Sequence, residues 1–334
     1  MTSFFKYLSA IIVCFMVATL SGCSLVDDNL DNCDSQFSID YQLRLETNIT
    51  TELQTELDLQ ADLEIRGLLE EYLKNIFADY AKDVDLSFYN VEEPMPREKH
   101  MVETMNASES SYTLTLPVQD YRHLAVANIK ESSVVKLKND DNCKTSVLSL
   151  ETSEEMVPPH NTGIFTARKD IHIESGKNQH FDVRLFMANS ASALVLDMTE
   201  AQNIQGISAM LEGFATEFNL SDSTYVYGGN KFIGADELTT NDGATKCFAS
   251  VHFPSDEIVK AAEPYYWDWR VYVKLDDGTI TESVIKVSEP ILPGHLKVLK
   301  AEVKDTGVVT TDDMSVGISI TLDWHRGIDF PVVF

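Results

Sequence analysis

Polar and apolar positions alternate in the first well-patterned segment of the chain. Phe37, Ile39, Tyr41, Leu43 and Leu45 take one phase, and Ser38, Asp40, Gln42 and Arg44 take the other. A period of two puts one face in a core and the other in water, so residues 37–45 predict a strand. The period then changes. Ile65, Leu68, Leu69, Tyr72, Leu73, Ile76 and Phe77 fall on one stripe of a helix over 61–80, with Arg66, Glu70, Glu71 and Lys74 opposite. Such a stripe packs, in most cases, on the helix's own domain. Strand signals dominate from there. Residues 84–89 and 112–116 alternate, and 124–127 is a short run of the buried kind. Residues 170–174 and 180–187 follow, punctuated by Gly163 and by Ser175-Gly176-Lys177-Asn178. Residues 201–218 carry a weaker helical stripe of Ile204, Ile207, Met210, Leu211 and Phe214.

The second half ends in β patterning. Residues 269–275 and 280–287 alternate on either side of Asp277-Gly278, which predicts a hairpin. Two last runs cover 295–303 and 316–324. Many short strands joined by polar turns point to sandwiches, and a chain of 334 residues accommodates two. The expected class is mainly β: an N-terminal β-sandwich domain over 35–175 with one amphipathic helix, and a C-terminal one over 176–334. No repeat of fixed period is present.

The N-terminus is of another kind. Lys6 precedes an apolar run over 7–20 that ends in Leu20-Ser21-Gly22-Cys23. A short apolar run ending in small residues predicts a cleaved export signal over 1–22 and not a spanning helix. Leu-Ser-Gly-Cys also resembles the lipobox of bacterial lipoproteins. That resemblance implies cleavage between Gly22 and Cys23 and acyl chains on Cys23, which would anchor the protein in outer-membrane lipid. Several acyl chains hold firmly where one does not. Residues 23–34 form an acidic tether. Its Asp27 and Asp28 resemble the surface-export signal of some outer-membrane lipoproteins and equally suit a solvated linker.

Charge and cysteine content narrow the partners. Lys and Arg number 26 against 53 Asp and Glu, a net charge of −27. With no basic patch to offset it, nucleic acid is not expected as a partner. Of the five cysteines, Cys14 leaves with the signal and Cys23 takes lipid, so Cys33, Cys143 and Cys247 remain. Export permits one disulfide. Cys33 and Cys143 each follow Asp-Asn in a polar, turn-like context and are the expected pair. No spacing suits zinc.

Catalytic signals are missing. There is no Gly-rich phosphate loop, no Gly-x-Ser-x-Gly elbow and no His-Glu-x-x-His, and the eight histidines are scattered. Asp276-Asp277-Gly278 reads as a turn, because the spaced oxygens of a calcium loop do not follow it. An enzyme, a metal and a cofactor are therefore not expected. Tyr265-Tyr266-Trp267-Asp268-Trp269-Arg270 leaves two readings open. Alternation places Tyr265, Trp267 and Trp269 on one face, where they would fill a sandwich core. Alternatively, Tyr266, Trp267 and Trp269 would stack on sugar rings.

Several segments together resemble the fimbrial subunit superfamily of type V pili, most closely its lipidated anchor-type subunits. They are Leu20-Ser21-Gly22-Cys23, the acidic tether to Asn32-Cys33, and the alternating strand after it. Tyr121-Arg122-His123-Leu124-Ala125-Val126-Ala127-Asn128 is similar to that family's buried strand ending in Asn. Residues 181–187 are similar to the strand opening its second domain, and 316–324 with Gly327 to its C-terminal strand. The helix over 61–80 departs from the pattern, where a short loop would stand.

The resemblance implies two tandem transthyretin-like β-sandwich domains and assembly by donor-strand exchange. In that mechanism a partner's extended segment fills the groove of an incomplete sandwich. Stalk-type relatives open the groove by losing their first strand to proteolysis, here at Arg44 or Arg66. An anchor-type subunit keeps that strand, here 37–45, and its lipid. The apolar end over 329–334 would be a last edge strand or a donor, although Pro331 removes a ladder donor. The function implied is a lipid-anchored anchor or accessory subunit of a fimbrium that supports cell adhesion. It would work with other pilus subunits at the outer-membrane surface of a Gram-negative bacterium. The alternative is a surface glycan-binding lipoprotein of a nutrient uptake system, using Tyr266, Trp267 and Trp269.

Overall fold

The computed structural model describes residues 36–46, 63–77, 81–105, 109–150, 155–228, 231–241, 243–256, 265–311 and 316–321. The first half runs β1 (Gln36–Glu46), α1 (Leu63–Ile76), β2 (Asp83–Asn90), β3 (Arg97–Thr104), β4 (Glu109–Pro117) and β5 (Asp120–Ala127). It continues through β6 (Val135–Lys138), β7 (Val147–Leu150), β8 (Met156–Val157), β9 (Phe165–His172) and β10 (Gln179–Met187). The second half runs β11 (Ser190–Asp197), β12 (Ile204–Glu212), β13 (Glu217–Asn219), β14 (Thr224–Val226), β15 (Phe232–Gly234) and β16 (Asp236–Leu238). Then come β17 (Thr245–His252), β18 (Trp267–Leu275), β19 (Ile280–Val287), β20 (Leu296–Val303), β21 (Val309–Thr310) and β22 (Val316–Thr321).

These strands make four sheets. A seven-stranded sheet has the order β3-β2-β5-β9-β10-β1-β4, and a four-stranded one β14-β13-β7-β6. A five-stranded sheet has the order β16-β17-β11-β20-β21, and a six-stranded one β22-β19-β18-β12-β15-β8. Each sheet is apolar on at least one face and must bury it, which fixes the layering. Tyr89, Leu124 and Val126 of the seven-stranded sheet meet Val135, Leu148 and Phe218 of the four-stranded one. Leu194, Leu196, Phe248 and Leu299 of the five-stranded sheet meet Ile207, Leu211, Trp269, Val271 and Ile285 of the six-stranded one. These are two sandwiches. α1 lies between them: Ile65, Leu69 and Leu73 share one core with Ile39, Tyr41 and Phe88 on one side and Ala193, Ala249 and Val298 on the other.

Two segments differ from the sequence pattern. Residues 204–212, expected as helix, form β12. The cause is a bulge: Ile204 faces Leu275 while Gly206 faces Lys274, so Gln205 is an extra residue that shifts the phase of the alternation. Ile207, Ala209 and Leu211 then face one core while Met210 packs with Phe232 and Tyr272 on the opposite side. A strand buried on both faces imitates helical spacing. The 181–187 strand, expected to open the second domain, instead belongs to β10 of the seven-stranded sheet, beside β1. Conversely, β13 and β14 follow β12 in the chain but join the sheet of β6 and β7. The two halves are thereby interlocked.

The predicted hairpin forms between β18 and β19, with Lys274 opposite Ile280. Gly278 takes φ +88°, where a side chain would be strained, and its N–H donates to the Leu275 carbonyl at 2.9 Å. Asn128, ending the 121–128 run, is buried in the left-handed region at φ 65°. Its side chain accepts from Lys82 N at 2.8 Å and donates to Gly163 O at 2.9 Å, which holds the end of β5 against the loop before β9.

Candidate assembly site

β1 is the element on which the assembly reading turns, and the structure places it inside a sheet. It runs parallel to β10, with Ile39 opposite Gln179 and Glu46 opposite Phe186. On its other edge it runs antiparallel to β4, with Gln36 opposite Pro117 and Arg44 opposite Glu109. Among the described residues β4 pairs with β1 alone. Without β1, β4 would lose its ladder and β10 would show an open edge.

The side chains reinforce the ladder. Ile39, Tyr41 and Leu43 are each 0% exposed. They pack with Val183 and Leu185 of β10, Leu114 and Leu116 of β4, and Leu69 of α1. Burial of this kind stabilises by on the order of 2 kcal/mol per side chain.

Tyr41 carries the one polar atom of that trio into the core, and the core answers it. The Tyr41 hydroxyl bonds to Nε2 of His123 on β5. Nδ1 of His123 donates to the Ser87 carbonyl at 3.0 Å, which leaves Nε2 as acceptor and Tyr41 as donor. Phe88 stacks on the imidazole at 4.3 Å between centroids, and Tyr41 meets the same ring edge-on at 5.0 Å. Burial pushes His123 down to about 3 and raises Tyr41 well above the usual phenol range, so both are neutral at physiological pH. Sequence reading put His123 in a buried strand without seeing its role. Its phase, shared with buried Tyr121 and Ala125, was the available signal, since a buried imidazole needs partners.

The two arginines at which a stalk-type relative would be cut both lie in regular structure. Arg44 is on β1, beside Arg184 and Glu109 in register. Arg66 is on α1, where its Nε donates to Glu70 at 2.8 Å.

The other expected site residues are placed as follows. Gly22, Cys23, the tether over 23–34, Cys33 and the 329–334 end lie outside the described residues. Cys143 is a fully buried free thiol in a short turn capped by Asn142, and burial pushes its pKa up. Trp267 and Trp269 are 2% and 0% exposed and fill the core between the five- and six-stranded sheets. Phe214 packs on Trp267, whose Nε1 donates to the Glu289 carbonyl at 2.9 Å. Neither tryptophan offers a ring face to a glycan, and Tyr266 is partly buried against the same core. The alternation, not the aromatic count, decides this segment.

The other phase of β18 carries charge. Arg270 donates to Glu212 at 2.7 Å and to Glu282 at 3.1 Å, and Asp268 lies 3.7 Å from the same guanidinium. Burial raises Asp268 to about 7. No group of three or more potential metal ligands occurs among the described residues, and no described helix is long and apolar enough to cross a membrane.

A pair of β-sandwiches with the chain's first strand held inside one sheet is the class of molecule that this geometry defines, and comparison with known proteins bears on it. Residues 51–241 match the family of fimbrillin-A associated anchor proteins Mfa1 and Mfa2. The match covers more than half of the chain, which therefore belongs to this family. Among solved structures, the fimbrial anchor protein Mfa2 of Porphyromonas gingivalis aligns with TM-score 0.50 and 10% identity, over 86% of this chain and 100% of its own. A candidate polysaccharide-binding protein of Bacteroides thetaiotaomicron aligns with TM-score 0.51 and 9% identity, over 87% of this chain and 98% of its own. A candidate adhesin of the same species aligns with TM-score 0.50 and 10% identity, over 85% and 97%. At such identities the likeness is one of fold. Comparison with curated proteins returns no match.

Proposed function

We propose that this chain is the lipid-anchored anchor subunit of a fimbrium, tied to the outer membrane through acylated Cys23 and keeping β1 in its own sheet. The observation that carries the reading is the position of β1, hydrogen-bonded on both edges with Ile39, Tyr41 and Leu43 buried. A groove already filled by the subunit's own strand has no open edge to offer a neighbour there, so growth stops at this subunit. The placement of Arg44 and Arg66 supports retention, because a protease needs an extended, unpaired segment. The partners are other fimbrial subunits, the role is structural and not catalytic, and adhesion is the fibre's activity.

The test is a Cys23→Ala variant expressed in place of the native chain. The reading expects folded variant and intact fibres shed together into the medium. Fibres that stay on the cell at native levels would overturn it.

A further inference from the structure

One cleft is lined by β9 and by β10, the strand that pairs with β1. It lies where β14, the edge strand of the four-stranded sheet, stops covering the seven-stranded sheet, and has a volume of about 350 Å³. That is near the lower end for small-ligand sites, about 300–1,000 Å³. Among the described residues, the charged ones that line it are Arg168 of β9 and Arg184 of β10. On a chain of net charge −27, a cleft whose described lining carries two guanidinium groups and no carboxylate is a local reversal. Phe186, Phe218 and Tyr225 supply the apolar walls, and Phe186 is 56% exposed.

The cleft is built. Arg168 donates to the Ser221 carbonyl at 2.9 Å, which fixes its guanidinium at the rim with donors left over. The Tyr225 hydroxyl donates to the Ala188 carbonyl at 2.9 Å, which holds that ring as a wall. On β1, one strand away, Arg44 occupies the register position beside Arg184 and Glu46 the one beside Phe186.

We infer that this cleft binds a single carboxylate-bearing sugar, of the uronic or sialic acid class, at the end of a glycan. A guanidinium fork matches a carboxylate. Aromatic faces take the C–H side of a sugar ring. An extended peptide fits less well, because β14 is three residues long and offers too short an edge for a ladder. A polyanion is disfavoured by the charge of the whole chain, whereas one carboxylate is not. This inference does not depend on the fimbrial reading.

The experiment is saturation-transfer NMR with titration of the whole protein at low salt. The probes are glucuronic acid, N-acetylneuraminic acid, glucose, acetate and an acidic hexapeptide. At least one acidic sugar is expected to bind roughly tenfold or more tightly than glucose and acetate. Arg168→Gln with Arg184→Gln should remove that preference at an unchanged melting temperature, since both side chains are exposed. Phe186→Ala should weaken the sugar and leave acetate unaffected. Equal binding of glucose, equal binding of acetate, or binding of the peptide alone would each overturn the assignment.

Discussion

Tyr41 on β1 donates its phenolic proton to Nε2 of His123 on β5, two strands of one sheet that are not neighbours. The bond crosses the core over β9 and β10 and is closed off by Phe88 stacked on the imidazole. It fixes the register of β1 by chemistry as well as by packing: a slip of one residue would send Tyr41 to the solvent face and strand His123.

Removal of that hydroxyl should therefore be felt. Tyr41→Phe leaves His123 Nε2 buried without a donor, and the expected loss is about 1–3 kcal/mol in urea unfolding. Combined with His123→Leu, the loss should be smaller than the sum of the two single losses. Strict additivity would mean that the pair is not coupled.

Three buried histidines make the fold sensitive to acid. Burial holds His123 and His160 at about 3 and His252 at about 4, below the ordinary value of about 6.5. The unfolded chain then binds more protons than the folded one. The stability these groups contribute is full above pH 6.5 and is lost as pH falls toward their folded values. Asp268, raised to about 7, acts in the opposite direction, favouring the fold as pH falls through that window. The unfolding midpoint should drop between pH 7 and pH 5, and Asp268→Asn should steepen the drop. A flat profile in the wild type would contradict this assignment of buried, neutral histidines.

Gly213 is the point where β12 leaves its sheet, at φ +100°. A Cβ there would lie 2.7 Å from the Tyr266 carbonyl oxygen and 2.8 Å from Trp267 Cα, both backbone atoms that cannot turn aside. Gly213→Ala should cost at least about 2 kcal/mol and lower the melting temperature. An unchanged transition would show that this close approach does not persist in solution.

The strand itself can be removed and returned. A chain lacking 36–46 should lose its cooperative thermal transition, and a synthetic peptide of residues 36–46 added in trans should restore it. A deletion variant that melts like the native chain would remove the energetic basis of the retained-strand reading.

Legibility in the sequence followed the number of buried faces. β1 and α1 each bury one face and wet the other, so their period was plain, and Asp277-Gly278 marked the β18–β19 hairpin. β12 was misread because it is buried on both faces and carries the Gln205 bulge. The placement of β10, β13 and β14 was not legible, since hydrophobic period fixes a strand's faces and not its neighbours. The burial of Trp267 and Trp269 followed from alternation. The cleft between Arg168 and Arg184 did not, because it arises from strands 16 residues apart that meet through pairing alone.

The retention of β1 is the central claim, and mass spectrometry of the native protein from outer-membrane fractions tests it most directly. The account predicts an N-terminus at acylated Cys23 with residues 24–66 still attached. An unlipidated N-terminus immediately after Arg44 or Arg66 would contradict it, marking a subunit whose groove has been opened for a neighbour's strand.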